Sequence, residues 1–169
     1  SEHLLRSLAA NRCQQLADEL PTVRRITGLV LDPYFTGTKA EWLLRNGVIG
    51  STAQLALGTI DSWILWRLSG GTTFATDESN ASRTMLYDIQ KHAWSEEMCS
   101  LLSIPMNALP EVRNSSGIFA TTNVEDIPRG IPISGIAGDQ QAALFGQACF
   151  AAGTAKNTYG TGSFVLMNV

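Results

Sequence analysis

The C-terminal part of the chain constrains its fold most. Gly130 to Ala137 reads as a buried strand, and Asp139 to Gln147, rich in Ala, Leu and Phe, reads as a helix. Ala155–Tyr159 and Ser163–Met167 read as two strands joined by Gly160-Thr161-Gly162. A strand, a helix and a hairpin in that order predict a mixed α/β class.

Upstream, helical spacing dominates. Leu4, Leu5, Leu8, Ala9, Cys13, Leu16 and Leu20 recur every three or four residues over Ser1–Leu20, a helix that Pro21 is expected to stop. Thr36 is a candidate N-cap for a helix over about Thr38–Arg45, ended by Gly47. Ala53–Leu57 reads as a brief buried strand. Thr59 is expected to cap a helix through Leu68 that buries Ile60, Trp63, Ile64 and Leu68, with Gly70 and Gly71 at its end. Met85–Ile89 alternates weakly like a strand. Ser95 opens a helix through Leu102 with Glu96 and Glu97 in its first turn, where the helix dipole favours negative charge.

Composition narrows the function classes. With 169 residues, 44% of them hydrophobic, the chain can bury one core and is too short for two large domains. A net charge of −3 without a basic stripe argues against a nucleic-acid partner. Cys13, Cys99 and Cys149 are widely spaced with no CxxC pair, so reduced thiols are expected. His3 and His92 are too isolated for a metal cluster. No apolar run reaches the ~18–20 residues of a membrane span, and no signal peptide is visible, which predicts a cytoplasmic protein. The chain starts on Ser and closes on a strand-like Phe164–Val169, as expected of an internal piece of a longer protein.

Three segments could carry chemistry. In Gly138-Asp139-Gln140-Gln141, a carboxylate and an amide open a helix at the end of a strand, where α/β folds place ligands. A carboxylate so placed can take a hydroxyl proton during phosphoryl transfer. In Tyr159-Gly160-Thr161-Gly162-Ser163, glycines allow backbone to approach a phosphate and hydroxyls flank it, although no Walker A lysine follows. In Asp32-Pro33-Tyr34-Phe35-Thr36-Gly37-Thr38-Lys39, the Tyr34 hydroxyl could face a small polar substrate. Read singly, each has an ordinary structural alternative: a capping aspartate, a hairpin turn, a packing aromatic.

Read in order, these segments resemble the glycerol kinases of the FGGY carbohydrate kinase family. The resemblance lies in Leu31–Lys39, Gly58-Thr59-Ile60-Asp61-Ser62-Trp63, Ser79-Asn80-Ala81-Ser82-Arg83-Thr84-Met85-Leu86, Ile131–Gln147 with its Ile-Ala-Gly-Asp-Gln-Gln core, and Lys156-Asn157-Thr158-Tyr159-Gly160-Thr161-Gly162. It implies a ribonuclease-H-like domain of the actin/hexokinase superfamily, incomplete here: residues 1–169 would form the C-terminal part of the first of two domains, the second being absent. By the same resemblance the activity is ATP-dependent phosphorylation of glycerol to sn-glycerol 3-phosphate with Mg2+. Asp139 would be the catalytic base and lie near the magnesium. Tyr34, Asp139, Gln140 and Phe164 would bind glycerol, and Gly160 and Thr161 would face nucleotide phosphate. The piece alone would be inactive. A kinase for another polyol or sugar, or a non-catalytic binding module, is the alternative. An exposed sheet edge would allow a homo-oligomer.

Overall fold

The computed structural model describes residues 2–47, 55–160 and 162–169, without the side chains of residues 2–4 and 6. The first helix, α1 (Glu2–Gln15), ends before the position expected, and a 3-10 turn (Ala17–Glu19) leads into α2 (Leu20–Thr27). Pro21 therefore stands in the first turn of a new helix and does not terminate the old one. The missing proline N–H costs nothing there, because the first helical amides have no intrahelical acceptor. Gly28, at φ 69°, closes α2 with its N–H on the Arg24 carbonyl at 3.0 Å.

Helix α3 (Thr36–Arg45) begins earlier than expected, with Phe35 in extended conformation at the N-cap and no side-chain cap. Its start approaches neighbouring backbone closely. The Gly37 N–H donates to the Thr84 carbonyl at 2.8 Å, and a Cβ at Gly37 would lie 2.7 Å from Leu102 Cδ1 and 2.9 Å from Thr84 O. Helices α1 and α3 share a buried carboxylate: Glu41, 1% exposed, is gripped by Arg12 Nε at 2.8 Å and by Arg45 at 2.8 Å. A charge this deeply buried needs both partners.

Helix α4 (Ile60–Leu68) forms where expected but turns the other way. Ile60 is 69% exposed, Trp63 and Ile64 are exposed too, and Ser62 and Leu65 face inward. Small Ser62 lets the helix come close to Gly58, and Leu65 meets Ala75 and Phe119 in the core. The exposed rings find lateral partners, Arg67 over Trp63 at 5.7 Å and Phe74 edge-on to Trp66 at 6.5 Å. The first two residues of the strand expected at Ala53–Leu57 lie outside the described residues, and 55–57 are irregular.

Strand β1 (Ala75–Asp77) runs directly into the single turn α5 (Glu78–Ala81). A short hairpin, β2 (Tyr87–Asp88) with β3 (Ala93–Trp94), precedes α6 (Glu96–Leu101), capped as expected by Ser95 Oγ accepting from the Met98 N–H at 3.2 Å. After the turn Met106–Ala108, β4 (Glu111–Arg113) pairs parallel to β1. Strands β5 (Ser116–Thr121) and β6 (Pro132–Gly135) pair antiparallel with an irregularity between Ser116 and Ala120. Helix α7 (Asp139–Gly146) follows. Strands β7 (Ala155–Tyr159) and β8 (Ser163–Met167) then form a regular hairpin, as expected. The β6 run is not the buried strand expected: only Ile133 and Ile136 are partly covered, because the ladder is two strands wide and packs through Phe119.

Two cores result. The larger joins α2, α3 and α6 through Val23, Ile26, Phe35, Ala40, Met98 and Leu102, with Met85 and Leu86 between them. The smaller holds Leu65, Ala75 and Phe119. Cys13 and Cys99 are buried and all three cysteines are unpaired. Burial pushes the Cys99 thiol up to about 11, so it is unreactive at neutral pH.

Asp77, the last residue of β1, is 0% exposed. Its carboxylate accepts from the Ser79 and Asn80 N–H groups at 3.1 Å each, from Asn80 Nδ2 at 2.8 Å, and from the hydroxyls of Ser79 and Ser115 at 2.6 Å each. Burial alone would raise this carboxyl, but the hydrogen bonds from Ser115, Ser79 and Asn80 outweigh it and hold it below its ordinary 3.8.

Two measurements test this account. Gly37→Ala forces Leu102 or the Thr84 backbone aside and is predicted to lower stability by about 1–3 kcal/mol, read as a fall in the urea midpoint. A depressed folded-state value means that the stability contributed by Asp77 is present above 3.8 and is lost as pH falls through the folded value. Asp77→Asn is therefore predicted to lower the urea midpoint at neutral pH and to flatten its decline on acidification below about pH 5.

Candidate active site

The candidate residues fall in three groups. The first is an open pocket lined by Val30, Asp32, Tyr34, Phe35, Arg83 and Phe164, a cavity of about 230 Å³. That is below the ~300–1,000 Å³ of sites for drug-sized ligands and suits a small one. Tyr34 follows a turn that Asp32 locks by accepting the Tyr34 N–H at 2.7 Å, while Lys39 Nζ donates to the Tyr34 carbonyl at 2.9 Å. Its ring stands edge-on to Phe35 at 5.5 Å. Phe164 comes from the far end of the sequence on β8, opposite Thr158. The structure thus brings Tyr34 and Phe164 together as two partly exposed rings in one pocket.

The second place is the start of α7, which packs along β7 and β8. Asp139 is the first helical residue and is exposed. Its Oδ1 accepts from the Gln140 N–H at 2.8 Å and its Oδ2 from Gln140 Nε2 at 3.1 Å. Gln140 Oε1 accepts in turn from Lys156 Nζ, which also donates to Thr158 Oγ1 at 2.7 Å. Gly138, the residue before Asp139, donates its N–H to Ser79 Oγ at 2.8 Å.

The third group is the β7–β8 turn. Gly160 is exposed, and its N–H donates to the Gly162 carbonyl at 2.9 Å, closing the turn on itself. Thr161 lies outside the described residues. Among the described residues no three His, Cys, Asp or Glu side chains form a metal cluster, and no helix is long and apolar enough to cross a membrane.

Arg83 and Lys156 were not singled out by sequence reasoning. Arg83 stacks over Phe35 at 5.0 Å and joins the Tyr34 pocket. Lys156, 3% exposed, supports Gln140 from below. Both lie within the segments that carry the family resemblance, which is the one sequence signal that could have marked them.

Residues 6–146 match the FGGY family of carbohydrate kinases, N-terminal domain. The glycerol kinase of Polaromonas naphthalenivorans is 52% identical over 167 residues, covering 95% of this chain and 33% of its own length. That of Dechloromonas aromatica is 54% identical over 168 residues, covering 93% and 33%. Among solved structures, Plasmodium falciparum glycerol kinase, crystallised with ADP, superposes with a TM-score of 0.86 at 35% identity over 94% of this chain and 33% of that one. A xylulose kinase from Lactobacillus acidophilus, at 21% identity and a TM-score of 0.82, shares the fold. The chain spans about a third of the length of these relatives, and by the superposition and the family match its α/β architecture is part of an actin/hexokinase-type fold. With the match running through most of its residues, the chain belongs to the FGGY family of carbohydrate kinases.

Proposed function

We propose that this chain contributes the acceptor side of an ATP-dependent kinase that converts glycerol to sn-glycerol 3-phosphate in the cytoplasm. Residues 1–169 are read as the C-terminal part of the first of two domains. The observation that carries the reading is the pocket shared by Tyr34 and Phe164, with Phe164 on the strand β8 that packs against the helix opening with Asp139 and Gln140. A three-carbon triol needs several polar partners and one apolar wall to be told from its analogues. Tyr34 and Gln140 supply hydrogen-bonding groups and the Phe164 ring supplies the wall.

Asp139 is the general base. As the terminal hydroxyl oxygen of glycerol bonds to the γ-phosphorus, the hydroxyl proton passes to an Asp139 oxygen. The bond from the γ-phosphorus to the bridging oxygen breaks, and ADP leaves. Gln140 steadies that carboxylate through two hydrogen bonds while Lys156 holds the Gln140 amide. Gly160, with no side chain, would give nucleotide phosphate close access to backbone, and Thr161 is proposed to face the same phosphate. Asp139 also suits magnesium, which keeps most of its waters and takes one or two carboxylates together with phosphate oxygens. Bound there, the ion would offset charge on the transferring phosphoryl group.

The other kinase reading, a different polyol or sugar as acceptor, is disfavoured by the 52% and 54% identity to the two glycerol kinases. A binding module without chemistry is disfavoured by the exposed carboxylate at the start of α7.

In the full-length protein, Asp139→Asn is predicted to lower turnover by at least ~100-fold, measured as glycerol-dependent ADP release. Near-normal turnover would sink the base assignment. On a panel of glycerol, xylulose, ribulose and gluconate, glycerol is expected to give the highest kcat/KM. Tyr34→Phe is expected to raise the glycerol KM about 3- to 10-fold, the scale of one lost hydrogen bond.

A further inference from the structure

Helix α7 buries none of its eight residues. No fully buried side chain fixes where the helix begins, yet the position of Asp139 follows from that start. The Asp139 side chain is held by Gln140, its immediate neighbour, so these bonds move with the helix and do not tie it to the body of the protein. Besides the bond from buried Lys156 to Gln140, a tie to the interior comes one residue earlier, where the Gly138 N–H meets Ser79 Oγ across 59 residues of sequence.

The polarity of that bond is set from the other side. Ser79 has one hydroxyl proton, and its Oγ lies 2.6 Å from Asp77 Oδ2. A carboxylate only accepts, so the proton points at Asp77 and a hydroxyl lone pair is left for the Gly138 N–H. Asp77 is fully buried and receives four further donors, which pin it between α5 and the start of β5. The β5 end is tied to the same segment: the Ser115 carbonyl accepts from the Ile136 N–H at 3.0 Å. A fixed buried charge thus orients one hydroxyl, and that hydroxyl holds the backbone that carries the base.

We propose that Ser79, oriented by the buried Asp77 carboxylate, is a positioning residue for catalysis that sets the location of Asp139 through the Gly138 amide. The proposal rests on Asp139 being the base. Displacement of a reacting group by about 1 Å can cost on the order of 10²-fold in rate, whereas Tyr34, which rests on the helical core, does not depend on this bond. The larger effect belongs in kcat.

The test uses the full-length protein with glycerol, ATP and magnesium. Ser79→Ala is expected to lower kcat about tenfold or more, with the glycerol KM within about twofold. Ser79→Thr, which keeps the hydroxyl, should restore kcat to within about threefold of the parent. If Ser79→Ala does not fold, Ser79→Cys keeps the volume while weakening the hydrogen bond, and is read in the same way. The decisive comparison adds Ser79→Ala to Asp139→Asn. A residue acting through Asp139 causes no further loss in that background, whereas a merely structural role lowers the residual rate by the same factor again. Unchanged kcat in Ser79→Ala, an equally impaired Ser79→Thr, or an additive double variant overturns the proposal. Those results beside an inactive Asp139→Asn would overturn the positioning role alone. A fully active Asp139→Asn would remove the base assignment and the proposal with it.

Discussion

The Asp77 carboxylate is the constraint on which the rest of the site depends. It lies at the end of β1, out of contact with water, and must be satisfied by protein donors alone. An uncompensated charge in that position would cost several kcal/mol. Meeting it draws in two backbone amides and the Asn80 side chain from α5, plus hydroxyls from Ser79 and from Ser115 ahead of β5. Three segments that would otherwise diverge are thereby held at one point, and the backbone leading into α7 is attached to it through Ser79.

This arrangement explains how a mostly exposed C-terminal region can still present defined groups. The α7–β7–β8 unit places Phe145, Phe150, Tyr159 and Val165 largely in the open, so burial does not hold it. Directional bonds do: Gly138 to Ser79, Lys156 to Gln140 and Thr158, and the regular β7–β8 register that brings Phe164 opposite Thr158. The helical half, by contrast, is held by a conventional core around Phe35, Met98 and Leu102 and by the buried Glu41 between two arginines. Tyr34 rests on that firm half and Phe164 on the other, and the pocket forms where they meet.

Local signals in the sequence were reliable where local physics decides. The Ser95 cap, the α7 start at Asp139 and the β7–β8 hairpin were legible because capping and strand alternation act over a few residues. Pro21 misled because a proline that blocks one helix is compatible with the first turn of the next. The α4 face misled because apolar spacing at Ile60, Trp63 and Ile64 is the same whether the side chains meet a core or each other's neighbours. Leu65 and Ser62 won the inward face by fitting against Ala75, Phe119 and Gly58.

By itself, the sequence determined the α/β class, the motif around Asp139 and Gln140, and a family resemblance running through most of the chain. These are properties of short segments and of their order. Only the tertiary structure decided that Tyr34 and Phe164 share a pocket, that Arg83 joins them, and that Ser79 and Lys156 support the two residues opening α7. Those roles depend on donors and acceptors distant in sequence meeting within about 3 Å, and nothing in the local pattern of a serine or a lysine records which partner the fold will bring to it.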